Sequence, residues 1–383
     1  NVSILEETRR FDKATPQTKA AIAELKLGNY AQALKALDHI IVEENALANT
    51  TAVRYVENLE ELRVAGKTEP KVGVVVSTNK DRKAINARSN ALLQEKQIIG
   101  QQNFNKEHLD DPTMTPAECR HVAELAAKGV NRLIFASAYR ELGISKNAVL
   151  TVTGFDIEKN RIHAMTPSGK KISINPDKQT DFSPARLEHR EYAIGDKIEA
   201  RENICPQRSQ RVTNGTYGTI LAIDEKSTAI AWQDGSKSTL GNKDMCFVDL
   251  AYAHTTFKEQ GATNDREIIA ASKIGAKVFH KQAVYVATTR AKDNTEIVTS
   301  DMKALLKSAG EEVLKTTAMD MKVGGQEAFD RAITTALGEQ AITKDHTFKI
   351  DALKQLIGHH KTPVVGDIKQ NDKSMTIDVL LRS

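Results

Sequence analysis

Two segments of this 383-residue chain place small hydroxylated residues and cations directly after apolar runs: AYAHTTFKEQGAT (251–263) and VYVATTRAK (284–292). Each apolar run resembles a strand of a parallel sheet, and ligands bind outside the carboxyl ends of such strands. Hydroxyls and backbone N–H groups at that edge can hold phosphate oxygens. Gly261 would let the backbone approach a ligand closely, and Arg290 would offer a permanently charged planar fork to a phosphoryl group. The pair therefore predicts a phosphate site, although either segment alone could be a solvated sheet edge.

The elements that must position these segments follow an α/β pattern with a β-rich interruption. Thr15-Pro16 predicts a helix start, and the apolar run Val72–Val76 predicts a buried parallel strand that leads into an amphipathic helix. Residues 138–240 alternate apolar and polar residues between turn signals, which is typical of small antiparallel barrels. The α/β pattern returns near residue 245, where MCFVDLAYAHTTF and QAVYVATTRA are each predicted to be a strand.

Composition narrows the function only slightly. A net charge of +4 and a pI near 8.7 are compatible with a nucleic-acid partner without requiring one. Cys119, Cys205 and Cys246 are scattered without a CxxC pair, which argues against zinc and fits a reducing compartment. His359-His360 is better explained as a solvated helix end than as a metal site, so no metal site is predicted. With no signal peptide and no apolar run long enough to span a bilayer, we expect a cytoplasmic protein without membrane insertion.

Several stretches together resemble the second motor half of a superfamily-1 helicase of the RecD-like branch. LEETRRF is similar to motif IV of that family, YAHTTFKEQGAT to motif V and VYVATTRAK to motif VI. VVVSTNKDRKAINARSNAL is similar to the strand and helix that follow motif IV, and AIGDKIEAREN with VTNGTYGTI is similar to the segment before motif V. The resemblance covers roughly residues 1–105 and 190–305. The insertion that begins TMTPAECRHV further resembles the 2B insertion of MobF-type (TraI-like) conjugative relaxase–helicases.

The resemblance implies a domain organisation. A RecA-like parallel-sheet domain, called 2A in the family, would occupy residues 1–114 and, after an interruption, 244–305. The interruption at 115–243 would be a β-rich, SH3-like insertion of the 2B type. Residues 306–383 would form a helical and poorly defined C-terminal extension. The predicted fold class is therefore α/β, with a RecA-like sheet interrupted by an antiparallel, barrel-type insertion.

The resemblance also implies which residues would act on a nucleotide. Arg290 would be the motif VI arginine that stabilises charge on the transferred phosphoryl group, an effect worth roughly 10³–10⁵ in rate in related hydrolases. Arg10 would be the motif IV arginine, with Arg9 as the alternative because the register there is open. A salt bridge at a domain edge is the other explanation for Arg10. Gln260 and Gly261 would approach the nucleotide.

Four residues would contact single-stranded DNA by the same resemblance. Thr255 would bond a backbone phosphate, and Lys258 would add charge unless it is a solvated lysine. Thr78 and Asn79, which follow the Val72–Val76 strand, are also placed to bond phosphate. A helix cap, a role that Asn79 would suit, explains these two residues equally well.

The family implies ATP and Mg²⁺ as cofactors, both bound mainly by a first motor domain. The chain contains neither G-x-x-x-x-G-K-[ST] nor a DExx-like segment before motif IV, so we expect these residues alone not to hydrolyse ATP. An upstream RecA-like domain and a relaxase of the same polypeptide are the expected partners, with a type IV secretion coupling protein as a further one. The predicted function is an ATP-dependent DNA helicase of a plasmid conjugative relaxase–helicase. The alternatives are a degenerate helicase-like module that binds single-stranded DNA and carries a secretion signal, and a RecD-like repair helicase unrelated to conjugation.

Overall fold

The computed structural model describes residues 11–207, 210–255 and 263–310. The chain divides into two compact units, Asn1–Glu312 and Val313–Ser383, and every described residue belongs to the first. The helical extension predicted for 306–383 is therefore described only as far as residue 310.

The described residues form helices and strands in alternating groups. The helices are α1 (Pro16–Lys26), α2 (Tyr30–Ala36), α3 (Leu47–Val64), α4 (Asn79–Glu95), α5 (Val122–Ala127), α6 (Asn242–Met245), α7 (Lys273–Lys277), α8 (Lys281–Arg290) and α9 (Met302–Gly310). The strands are β1 (Asp38–Ile41), β2 (Val72–Val76), β3 (Phe104–Asp110), β4 (Arg132–Phe135), β5 (Val149–Asp156), β6 (Arg161–Met165), β7 (Lys171–Ile174), β8 (Phe182–Tyr192), β9 (Lys197–Ala200), β10 (Ile204–Gln207), β11 (Gln210–Val212), β12 (Tyr217–Ile223), β13 (Ser227–Trp232), β14 (Lys237–Gly241), β15 (Val248–Leu250), β16 (His254–Thr255), β17 (Asn264–Ala271) and β18 (Ala291–Thr299).

A five-stranded parallel sheet has the strand order β1-β18-β17-β2-β16. Strand β2 is buried along its whole length, as its continuous apolar sequence predicts. Its alternate residues face different cores: Val74 and Val76 pack with α3 and α4, and Val75 packs with α1, α2 and α7–α9. Helices therefore cover both faces of the sheet, and its ligand-accessible positions are the strand ends.

The segment between β2 and β16 forms antiparallel sheets. One has six strands in the order β3-β8-β4-β5-β6-β7, one has five in the order β14-β13-β12-β9-β15, and β10 pairs with β11. The predicted α/β class, with a parallel sheet interrupted by antiparallel β structure, is confirmed. The first antiparallel strand starts at Phe104 and the last ends at Leu250. The domain boundaries at 114, 243 and 305 stay predictions.

The helix start predicted at Thr15-Pro16 is confirmed, and hairpin turns separate strands within residues 138–240, where the sequence predicts turn signals. Thr15 caps α1 by accepting a hydrogen bond from the Thr18 N–H, and Pro16 is the first helical residue. Residues 224–226 connect β12 to β13, and residues 233–236 connect β13 to β14, both as hairpin turns. These positions depend only on local backbone chemistry, which is why the sequence specifies them.

Two strand predictions near the candidate site are wrong. QAVYVATTRA forms helix α8, which buries Ala283, Val284, Ala287 and Thr288 at helical spacing. A short apolar run fits a buried helix as well as a buried strand, so the apolar pattern alone could not separate them. MCFVDLAYAHTTF contains two short strands in different sheets, since β15 pairs with β9 and β16 pairs with β2.

Candidate nucleic-acid interface

Two predicted DNA-contacting residues meet at the carboxyl edge of the parallel sheet. Strand β2 ends at Val76 and is followed by Ser77 and Thr78. The neighbouring strand β16 ends at Thr255, which lies in register with Val76. Thr78 and Thr255 are both partly exposed. Two adjacent parallel strands therefore deliver hydroxyl groups to the edge where open α/β sheets bind ligands.

Thr78 also begins helix α4. Its Oγ1 accepts a hydrogen bond from the Asp81 N–H at 3.1 Å, so Thr78 is the N-cap residue. Because a hydroxyl has one donor and two acceptor sites, the cap leaves the hydroxyl proton available for a phosphate oxygen. The amino end of α4 adds backbone N–H groups and the positive end of the helix dipole. The chemistry of this corner suits an anion.

Asn79 does not cap α4, although asparagine is a common residue at helix N-caps. It is the first residue of α4, and its Nδ2 donates a hydrogen bond to Thr113 Oγ1 at 3.1 Å. The helix-cap explanation therefore holds for Thr78 and is wrong for Asn79. Asn79 is partly exposed beside Thr78.

Arg290 lies elsewhere on the sheet. It ends α8 and immediately precedes β18, whose first residue, Ala291, pairs with Asn264 at the start of β17. The structure therefore places Arg290 at the amino ends of the strands, and the expectation that it follows a strand at the carboxyl edge is wrong. The residue is buried, with 4% of its surface exposed. In this conformation little of the side chain is available to a nucleotide, and its role as an arginine finger stays a prediction.

Five other predicted site residues lie outside the described part of the chain: Arg9, Arg10, Lys258, Gln260 and Gly261. Their roles stay predictions. Within the described ranges, no group of three or more His, Cys, Asp or Glu side chains could hold a metal ion. None of the described helices is long and apolar enough to cross a membrane.

His254 fixes the backbone next to Thr255. Burial, followed by the charges of Lys197, Arg82 and Arg290, lowers the pKa of His254 to about 3. The imidazole is therefore neutral at physiological pH. Its ring packs edge-on against Tyr217, with the ring centroids 4.9 Å apart. His254 thus anchors the short strand β16 through packing and contributes no charge to the edge.

Sequence reasoning missed a row of buried polar residues on α4. Arg82, Asn86 and Asn90 follow one another at intervals of four, so they share one face of the helix. Arg82 Nη1 donates to Asp249 Oδ2 at 2.7 Å, and Asn90 Nδ2 donates to Asp196 Oδ1 at 2.7 Å. The interval of four is a detectable signal in the sequence, whereas the partners are more than 100 positions away.

Asp249, the partner of Arg82, also binds charged and polar groups of the antiparallel insertion. Asp249 on β15 also pairs with Arg190 on β8, so one carboxylate lies between two arginines. His108 Nδ1 on β3 donates a hydrogen bond to Val248 O at 2.8 Å, and His108 Nε2 lies 3.9 Å from Asp249 Oδ2. Burial, and then the charge of Arg190, lowers the pKa of His108 to about 3. The helix that begins at the candidate edge is therefore anchored in the insertion.

Comparison with known proteins gives structural neighbours only. No protein-family model matches the chain, and no curated protein matches it. A structure of two coordinating Pif1 helicases that unwind forked dsDNA is 13% identical, with 87% of this chain and 55% of that chain covered and a TM-score of 0.33. Pif1 helicase from Bacteroides with ADP-AlF3 and ssDNA is 14% identical, with 87% and 57% covered and a TM-score of 0.23. Unliganded Pif1 from Bacteroides sp. is 14% identical, with 64% and 56% covered and a TM-score of 0.25.

The chain spans about half the length of these helicase structures. Identities and TM-scores of this size do not assign a function. The fold that the chain's own strand order defines is mixed α/β, with a parallel sheet and separate antiparallel sheets.

Proposed function

We propose that this chain is the second motor half of an ATP-dependent translocase or helicase that moves along single-stranded DNA. One observation carries the proposal: Thr78 and Thr255 lie at the carboxyl ends of adjacent parallel strands, beside the amino end of α4. Hydroxyl groups and helix N–H groups at one edge suit a row of phosphates. The sequence resemblance to motifs V and VI of RecD-like helicases supports the same reading.

The strand would be held by its backbone. Thr78 and Thr255 would donate hydroxyl hydrogens to phosphate oxygens, and Asn79 would offer its amide. Lys80, exposed in the first turn of α4, would add positive charge, with Lys258 as a second cation. Contacts of this kind carry no base information, so we expect binding that tolerates any sequence and weakens with salt.

The nucleotide would bind between this domain and an upstream RecA-like domain of the same polypeptide. That domain would supply most of the ATP and Mg²⁺ contacts. Arg290 and Arg10, or Arg9 in its place, would stabilise the transferred phosphoryl group, with Gln260 and Gly261 nearby. Because Arg290 is buried, engagement of the upstream domain must uncover it, which requires the end of α8 to move.

The resemblance of the insertion to MobF-type proteins supports a narrower proposal. The chain would belong to a cytoplasmic plasmid relaxase–helicase that nicks and unwinds DNA and is transferred with it. A relaxase domain and a type IV secretion coupling protein would then be its partners. A repair helicase of the RecD type would have the same motor half without the relaxase.

One observation favours a second candidate function. The 4% exposure of Arg290 suits a helicase-like module that binds single-stranded DNA and no longer senses ATP. Such a module would keep the Thr78–Thr255 edge and lose the arginine finger. The two candidates share DNA binding and differ in whether Arg290 affects ATP hydrolysis.

Binding of a fluorescent oligo-dT tests the shared part. Thr255→Val removes the hydroxyl and keeps the shape of the side chain, so we expect affinity to fall about tenfold, as for one hydrogen bond to a charged group. Thr68→Val is the matched control, because Thr68 is exposed and precedes β2, at the opposite edge of the sheet. Equal affinity of wild type and Thr255→Val would refute this edge as the DNA site.

Arg290→Gln in the full-length polypeptide separates the two candidates. For a motor, we expect DNA-stimulated ATP hydrolysis to fall by about 10³ or more, while affinity for oligo-dT stays within a few-fold. Unchanged hydrolysis would favour the module. Because Arg290 is buried, the variant must first be shown to unfold at the same temperature as wild type.

A further inference from the structure

Asn86 satisfies three backbone groups of one short segment. Its Nδ2 donates to Leu250 O at 2.6 Å, and its Oδ1 accepts from Tyr252 N at 3.0 Å and from Ala253 N at 2.7 Å. The residue is 2% exposed. A side chain that both donates and accepts is needed here, since an aliphatic side chain would leave three buried polar groups without this partner.

The segment that Asn86 holds joins two sheets. Strand β15 in the five-stranded antiparallel sheet ends at Leu250, and β16 in the parallel sheet begins at His254. Residues 251–253 between them are buried and belong to neither strand. Thr255 follows two residues after Ala253. A displacement of this crossing segment would therefore move Thr255 directly.

Asn86 lies on the same helix as the other half of the candidate edge. Thr78 caps α4, and Asn86 lies eight residues later, about 12 Å along the helix axis. Both residues are therefore parts of one rigid element. The distance between the Thr78 and Thr255 hydroxyls depends on how firmly α4 holds the crossing segment.

We propose that Asn86 is a positioning residue that keeps Thr255 in place relative to Thr78 for single-stranded DNA, an inference that rests on the proposed function. The two neighbouring residues on the polar face of α4 bind carboxylates near the crossing segment. Arg82 binds the Asp249 carboxylate, and Asn90 binds Asp196, which accepts a hydrogen bond from the Tyr252 hydroxyl. Asn86 contacts the backbone itself, so it controls the path of the chain into β16.

The test measures oligo-dT affinity of Asn86→Ala at a temperature where the variant is folded by circular dichroism. We expect about tenfold weaker binding, close to the effect of Thr255→Val. Asn58→Ala is the matched control: Asn58 is also buried and has three hydrogen-bonding contacts, but one lies within α3 and the other two join α3 to β17 and β18. It should lose comparable stability and bind within twofold of wild type.

A double substitution distinguishes positioning from general loosening. If Asn86 acts through Thr255, Thr255→Val should weaken binding by less than twofold once Asn86 is alanine. The inference would be overturned if the two substitutions reduced oligo-dT affinity additively. It would also be overturned if Asn86→Ala bound as tightly as wild type while Thr255→Val bound more weakly. Either result would leave the proposed function intact. Asn86→Ser, which keeps a small hydrogen-bonding group, should show the same pattern with a smaller loss if Asn86→Ala does not fold. Failure of the wild-type chain to bind oligo-dT would overturn both proposals.

Discussion

Mild acid should destabilise the folded protein through two buried histidines. His108 and His254 both have a pKa lowered to about 3, with burial as the largest cause and neighbouring cations next. In the unfolded chain each would return to its ordinary pKa of 6.5. The unfolded state therefore takes up protons first as the pH falls. The contribution of the two neutral histidines to the free energy of unfolding is fully present above pH 6.5 and is lost progressively as the pH falls toward 3.

The size of the effect follows from the proton difference. A difference of one bound proton between the unfolded and folded states changes the free energy of unfolding by about 1.4 kcal/mol per pH unit. Acidification from pH 7 to pH 5 therefore lowers the free energy of unfolding by about 2 kcal/mol for each histidine, because protonation of the unfolded state begins near pH 6.5. The two together lose about 4 kcal/mol, a large part of the 5–15 kcal/mol typical of a folded domain. Asp196, whose pKa is raised by burial, changes stability in the opposite direction as it protonates. A variant comparison is therefore more informative than the wild-type curve alone.

Urea unfolding at pH 7, 6 and 5 measures this loss. His108→Asn keeps a polar atom near Val248 O and cannot titrate, so its stability should fall about 2 kcal/mol less than that of wild type over the same range. His163→Asn, an exposed histidine on β6, should follow the wild-type curve. The same pH dependence in wild type and His108→Asn would refute the assignment of a buried neutral imidazole at position 108.

Three further substitutions test the packing around the site by urea unfolding. Asp249→Asn should cost about 3 kcal/mol or more, because it leaves Arg82 buried without its counter-charge, and an unchanged midpoint would contradict this. Gly73→Ala should cost about 1–3 kcal/mol, since a Cβ there would clash with the Asn264 amide and lie 2.5 Å from the buried Glu267 carboxylate; a neutral result would mean that both side chains can move. Thr15→Ala removes the cap of α1 and should cost about 1 kcal/mol, whereas Thr15→Ser should cost much less.

Local sequence chemistry predicted the core of the fold well. The continuous apolar run Val72–Val76 predicted a buried parallel strand, and Thr15-Pro16 predicted a helix start, because each of these signals is carried by neighbouring residues of the sequence. The same logic failed for 284–290, where a β-branched run belongs to helix α8. Burial of Ala283 and Ala287 on one face decides for a helix, and burial is a tertiary property.

The candidate site was predictable in part. Thr78 and Thr255 follow apolar runs, so each could be placed at a strand end from the sequence. Their adjacency depends on β16 pairing with β2, which are almost 180 residues apart in the sequence and separated by the antiparallel insertion. The partners of Asn86 on the polar face of α4 could not be predicted either. They lie in the segment that connects β15 to β16, far from α4 in the sequence. Arg290 was placed at the wrong sheet edge for the same reason that its helix was missed.

Hydrogen–deuterium exchange with and without oligo-dT can locate the bound DNA strand on the folded protein, and it needs no substitution. Binding at the carboxyl edge should slow exchange in peptides that cover 77–84 and 250–255. Peptides that cover 65–71, at the opposite end of β2, should be unchanged. Slower exchange confined to the antiparallel sheets or to the amino ends of the parallel strands would contradict DNA binding at the carboxyl edge.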